Sequence, residues 1–227
     1  MRKVPSIALK YIQTSVFQRL VLATILLTVG TVILGFVANE VLDGNTQQVD
    51  QGILKFISSF ANPVLDQIVL MLTLFGGVAF VFFVTCIATV YLYKTKRQRL
   101  ALFTAFSLGG VLLTNSLLKL LFERERPALW ESLVHESTYS FPSGHAALSC
   151  ALALTAVIMM WRVRWRWVAV TVGALYILII GFTRLYLAVH YPTDIIAGWL
   201  VASTWVLIVA TICGIIRWRW PSLLRRT

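Results

Sequence analysis

Apolar residues are gathered into six long runs, each close to the roughly 20 residues that a bilayer-crossing helix requires. The runs are Leu20–Leu42, Ile68–Tyr93, Leu100–Leu121, His145–Trp161, Val168–Leu187 and Ile195–Ile216. The fourth is the shortest, and Phe141–Ser143 is available to extend it. Between the first two, Gln51–Leu65 is amphipathic and predicts a helix lying along a membrane surface. Basic residues precede the first run, as in a signal peptide. Its apolar stretch is too long for that role and lacks a clear small-x-small cleavage site, so it reads as a span. No Pro/Ser-rich linker, low-complexity tract or internal repeat divides the chain. The expectation is an all-α, polytopic helix bundle: one membrane domain over residues 1–227, with its core at about 50–216.

Composition agrees with that pattern. Hydrophobic residues make up 59% of the 227 and charged residues 13%, about half the charged share of a soluble domain. The mean hydropathy is +0.82. A net charge of +11 raises the question of nucleic acid, which the positions of the charges answer. Arg2, Lys3, Lys10 and Arg19 precede the first span, and Lys94, Lys96, Arg97 and Arg99 follow the second. Arg162, Arg164 and Arg166 follow the fourth, and Arg217, Arg219, Arg225 and Arg226 form the tail. Those fifteen of the twenty basic residues alternate across the membrane with all nine Asp and Glu. The bias places both termini in the cytoplasm and the acidic loops outside, in the cell membrane. Trp161, Trp165, Trp167, Trp218 and Trp220 share the basic side, where indole and guanidinium suit lipid headgroups. The charge is therefore a topology signal, and nucleic acid is excluded as a partner. Cys86, Cys150 and Cys213 lie within apolar runs as packing residues, without metal-ligand spacing.

The five basic residues on the outer side carry the chemical interest. Lys55 reads as a solvated charge on the amphipathic stretch, and Arg124 as a loop charge between Glu123 and Glu125. Lys119, Arg126 and Arg184 converge on the same membrane face as two histidines. His145 follows Pro142-Ser143-Gly144 at the start of the fourth span, and His190 precedes the sixth with Asp194 four residues on. Residues four apart share a helix face, so Asp194 can approach His190. Pro192 suits a first helical turn, and the N–H groups around Ser143-Gly144 can point at an anion. His135 and Glu136 read as loop residues, each able to contact a headgroup, and Tyr186 and Tyr191 as interfacial belt residues. Gly76-Gly77 and Gly109-Gly110 read as close-packing points between helices.

Lys119 with six residues before Arg126-Pro127, then Pro142-Ser143-Gly144-His145, then Arg184 with five residues before His190 and three more before Asp194, resembles the three-part signature of the type 2 phosphatidic acid phosphatase superfamily. The resemblance runs from about Asp50 through the sixth span. Leu133-Val134-His135-Glu136-Ser137 before Phe141-Pro142 resembles the bacterial phosphatidylglycerophosphatase B branch. One departure stands out: the family has Ser before the third motif's Arg, and this chain has Thr183, which keeps a hydroxyl for phosphate.

The resemblance implies a membrane lipid phosphatase. His190 would attack phosphorus and form a phosphohistidine, with Asp194 orienting it. His145 would protonate the leaving group and then activate water. Lys119, Arg126, Arg184, Ser143 and Gly144 would hold the phosphate oxygens, with three fixed cations in place of a metal and no cofactor. The substrate is a phosphate on a long apolar tail that enters from the bilayer: phosphatidylglycerophosphate, phosphatidic acid or undecaprenyl pyrophosphate. A lipid phosphotransferase would use the same site with an alcohol acceptor. A lipid transporter would show charges near the bilayer midplane and broken spans.

Overall fold

The computed structural model describes residues 6–129 and 132–216, with side chains from Val16 onward. Arg2, Lys3, the four tail arginines, Trp218 and Trp220 lie outside the described residues. In lipid each backbone N–H and C=O must find a partner within its own segment, so apolar runs become helices. The helices are α1 (Ser6–Leu42), α2 (Gln47–Ser58), α3 (Pro63–Leu74), α4 (Val78–Lys94), α5 (Gln98–Phe122), α6 (Gly144–Met160), α7 (Arg166–Tyr186) and α8 (Pro192–Ile212). No strand occurs among the described residues.

The bundle is apolar outside and tightly packed inside. Phe17, Val32, Phe36, Phe82 and Leu121 are all exposed, as a lipid-facing surface requires. Small residues let the inner helices approach closely: Ala147 and Ala151 of α6 and Ala202 and Ala210 of α8 pack with Phe103 and Val111 of α5. Gly110 accommodates the Trp205 ring, whose Nε1–H donates to the Phe106 carbonyl at 2.9 Å. Gly109 has open space in front of it, so only Gly110 of that pair is a packing point.

The apolar runs form helices as expected, with four corrections. Among the described residues five segments are long and apolar enough to cross a membrane, with α3 and α4 together making one of them, whereas α6, at 17 residues, is a shorter apolar helix. Phe141–Ser143 does not extend it. That stretch is buried but not helical, and its polar groups are satisfied from outside. Ser143 N–H donates to the Asp194 carbonyl at 3.0 Å, and Asn115 Nδ2 donates to the Pro142 carbonyl at 3.4 Å. Non-helical backbone at membrane depth is tolerated only where protein surrounds it in this way.

Second, the amphipathic helix ends at Ser58, because Asn62 and Pro63 start a new helix. Asn62 Oδ1 accepts the Leu65 N–H at 3.0 Å, and Pro63 takes the first turn. Third, the run that began as a single span is broken at Phe75–Gly77. A side chain at Gly76 would collide with Ile180 of α7, and Tyr176 of α7 donates to the Phe75 carbonyl at 2.7 Å. Fourth, α1 begins well before Leu20, and α8 runs from Pro192 only to Ile212.

Candidate active site

Four helix ends meet at one end of the bundle. Lys119 ends α5, Ser143-Gly144-His145 begins α6, Arg184 ends α7, and His190 and Asp194 stand at the start of α8. Residues 123–129 and 132–143 connect these ends. Each end is fixed by local chemistry. Ser143 Oγ caps α6 by accepting the Ala146 N–H at 3.5 Å, which leaves the Gly144 and His145 N–H groups without helical partners. Asp194 caps α8 by accepting the Tyr191 N–H at 2.8 Å. The two helix starts are locked together at Gly198, where a Cβ would lie 2.7 Å from the Ser143 carbonyl oxygen.

His190 is 2% exposed and Asp194 is fully buried. Nδ1 of His190 lies 3.4 Å from Asp194 Oδ2, within ion-pair range, and makes no hydrogen bond. Nε2 faces the Arg126 guanidinium at 3.3 Å. Since a guanidinium only donates, this geometry assigns the lone pair to Nε2 and the proton to Nδ1, beside the carboxylate. Burial pushes the His190 imidazolium down to about 4 against the opposing pull of Asp194, so the ring is neutral at pH 7.

The cations are held from the loop side. Arg126 donates from Nε to the Thr138 carbonyl at 2.8 Å and from one terminal nitrogen to the Val189 carbonyl at 2.6 Å. Lys119 donates to the Tyr139 carbonyl, which also faces Arg126. Arg184 is 1% exposed and donates to Thr73 Oγ1 of α3 at 2.7 Å. Its Nε–H is buried without a partner. An unpaired guanidinium donor is costly unless a ligand takes it. His145 lies among Glu136, Arg184, His190 and Lys119, and its ring packs on the α3–α4 break, with Nε2 3.6 Å from where a Gly77 Cβ would be. The break thus borders the candidate acid.

Eight of the nine candidate residues therefore gather at one place. Thr183 does not join them. It is buried, its hydroxyl donates to the Ile180 carbonyl at 2.7 Å, and it lines an apolar groove of about 340 Å³ between α3 and α7.

Three further corrections concern residues read as bystanders. Glu136 is a loop residue, as read, but it turns into the site: its carboxylate pairs with Arg184 and lies 3.7 Å from Arg126. Burial alone would raise it, but those two cations win and hold it below the usual carboxylate range. Arg124 is not a free loop charge, because it bridges Asp50 at 2.9 Å and Asp194 at 2.5 Å. Tyr186 is not a belt residue, since its buried hydroxyl donates to Asp66 at 2.6 Å. Lys55 and His135 are exposed, as expected. The lone signal in the sequence for Arg124 was an arginine two residues before a motif arginine, on the acidic side of the chain.

Residues 100–218 match the model of the PAP2 superfamily. The chain is 30% identical to phosphatidylglycerophosphatase B of Bacillus subtilis strain 168 over 160 residues, covering 67% of this chain and 77% of that protein. It is 26% identical to an undecaprenyl-diphosphatase of the same organism over 172 residues, 74% of this chain and 80% of the other. Its fold resembles the crystal structure of a transmembrane PAP2-type phosphatidylglycerolphosphate phosphatase from Bacillus subtilis, with a TM-score of 0.75 and 23% identity over 84% of this chain and 96% of that one.

Proposed function

The chain belongs to the PAP2 superfamily and is a membrane lipid phosphatase, and on that premise we propose that it hydrolyses phosphomonoester or pyrophosphate lipids through a phosphohistidine at His190. The observation that carries the proposal is the setting of that ring: Nδ1 toward Asp194, Nε2 toward Arg126, and the unpaired Nε–H of Arg184 within the same cluster.

In this reading His190 Nε2 attacks phosphorus, a P–N bond forms, and the P–O bond to the lipid breaks. His145 gives its proton to the departing oxygen. It then takes a proton from water, whose oxygen attacks phosphorus and expels the His190 ring, releasing phosphate. Asp194 holds the Nδ1 proton while positive charge builds on the ring. Lys119, Arg126, Arg184, Ser143 and the Gly144 N–H stabilise the equatorial oxygens. Glu136 sits on two of those cations, so an arriving phosphate must displace it or share them. The same three cations supply the charge that Mg²⁺ supplies in other phosphotransferases, so no metal is required.

Phosphatidylglycerophosphate, phosphatidic acid and undecaprenyl pyrophosphate are the substrates to compare, and the names of the relatives favour the first and last. The charge bias along the chain supports a site on the outer side of the cell membrane with both termini inside. The test is release of inorganic phosphate from those three lipids by purified protein, with and without EDTA. Turnover unaffected by EDTA, inhibited by vanadate and lost in His190→Ala supports the mechanism. Chelator-sensitive turnover, or full activity in His190→Ala, overturns it.

A further inference from the structure

The amphipathic helix α2 sends one buried charge into the site. Asp50 is 1% exposed on a helix whose Val49, Ile53 and Phe56 face outward. Its Oδ2 accepts from Arg124 at 2.9 Å and from the Thr193 hydroxyl at 2.7 Å, while Oδ1 accepts the Thr193 N–H at 3.2 Å. Arg124 in turn donates to Thr193 Oγ1 at 2.8 Å and to Asp194 Oδ1 at 2.5 Å. Its guanidinium lies over the Tyr191 ring, 4.1 Å from the centroid. The two residues thus grip Tyr191, Thr193 and Asp194, three of the four residues that follow His190.

We propose that Asp50 and Arg124 are positioning residues for the reaction: Arg124 pins Oδ1 of Asp194 so that Oδ2 stays turned to His190 Nδ1, and Asp50 holds Arg124 in place. This rests on the assignment of His190 and Asp194 above. Bond by bond, Arg124 and Ser140 occupy the carboxylate on either side of the histidine. Ser140 and the Tyr191 N–H both hold Oδ2, so Arg124 is the side chain that fixes Oδ1; without it χ2, a broad torsion, is set from one oxygen only, and Nδ1 has no second acceptor to fall back on. A pair that served only to hold α2 on the bundle would have no need of Asp194. Buried ion pairs are weak devices for stability and better suited to fixing geometry.

The test uses the full chain in lipid nanodiscs. The variants are Asp50→Asn, Arg124→Lys and Arg124→Gln, with exposed Lys55→Gln on α2 as the control. Arg124→Gln is expected to lower kcat about a hundredfold, the scale of a misplaced catalytic group. KM should stay within about twofold, because neither residue belongs to the proposed phosphate ligands. Arg124→Lys should recover part of kcat, and Asp50→Asn should show a smaller loss of the same kind. Lys55→Gln should match the wild type.

Independently of turnover, ¹⁵N-histidine NMR of His190 should show the Nδ1–H tautomer in the wild type and a mixture in Arg124→Gln. Unchanged kcat and tautomer in folded Arg124→Gln and Asp50→Asn, with His190→Ala and Asp194→Asn inactive, overturns the positioning role and leaves the proposed function standing. A rise in KM without a fall in kcat would make Arg124 a substrate contact and also overturn it. Loss of folded protein in both Asp50→Asn and Arg124→Lys would assign the pair to folding and reject the proposal. Activity in His190→Ala would instead reject the reading beneath it.

Discussion

The two ends of the bundle are both rich in cations and use them in opposite ways. At the end formed by the α4–α5 and α6–α7 turns, Lys94, Arg97, Arg162, Arg164 and Arg166 are exposed. Two of them lie over neighbouring indoles: Arg164 over Trp165 at 4.7 Å and Arg166 over Trp167 at 5.7 Å. At the other end Arg184 is 1% exposed and Asp194 fully buried, and every ion pair among the described residues lies there. Exposed charges at a headgroup boundary need no fixed partner. Buried ones are tolerated only when paired and hydrogen-bonded. Charge in this chain is therefore informative by its burial, and the end where it is buried is the end that can do chemistry.

The sharpest way to break this contrast is to remove a buried cation. Arg184→Ala takes away the unpaired Nε–H and the partner of Glu136. It should lower kcat about 10³-fold, as loss of an oxyanion donor does, measured as phosphate release from phosphatidylglycerophosphate. A loss below tenfold would mean that Arg184 supports the loop rather than phosphate.

Next in size is Gly198→Ala. Its Cβ would meet the Ser143 carbonyl at 2.7 Å, so backbone must move and carry the α6 start away from α8. Turnover should fall about 30- to 100-fold, the cost of displacement by an ångström or less, with a destabilisation of about 1–3 kcal/mol from overpacking. Steady-state kinetics together with a thermal scan would separate the two.

A pH titration of His190, read by ¹⁵N NMR, should give a smaller but clean signal. Burial lowers its pKa from the ordinary 6.5 to about 4. The neutral ring therefore persists as pH falls through 6 and 5, and protonation comes only near 4. Stability linked to this ring declines as pH drops below the unfolded value, because the unfolded chain takes up the proton first. Protonation near 6.5 would show a solvated ring and dissolve the contrast. Smallest of all, Arg164→Gln at the opposite end should change kcat by less than about twofold and stability by about 0.5 kcal/mol or less.

Much of this was legible in the chain. Period and length marked the spans because apolar helices in lipid leave little choice, and the motif spacing brought Lys119, Arg126, Ser143, Gly144, His145, Arg184, His190 and Asp194 to one place. What escaped were residues whose roles depend on a distant partner. Arg124 looks like a loop charge until Asp50, 74 residues earlier, is placed beside it. Glu136 looks like any other loop residue until the loop folds onto Arg184. The break at Gly76-Gly77 is invisible to hydropathy, since the apolar run continues through it, and Ile180 packed against Gly76 shows only once α7 is in place. Thr183 keeps the hydroxyl its motif position asks for, but the helix carbonyl at Ile180 claims it.

The most direct measurement is a trap of the covalent intermediate. Purified protein would be mixed with phosphatidylglycerophosphate labelled in its terminal phosphate, quenched in base within the first turnover, digested and mapped by mass spectrometry. Acid-labile, base-stable phosphate on the peptide that carries His190, absent in His190→Ala, is the predicted result. Phosphate on another residue, or turnover by His190→Ala at the wild-type rate, would contradict the account.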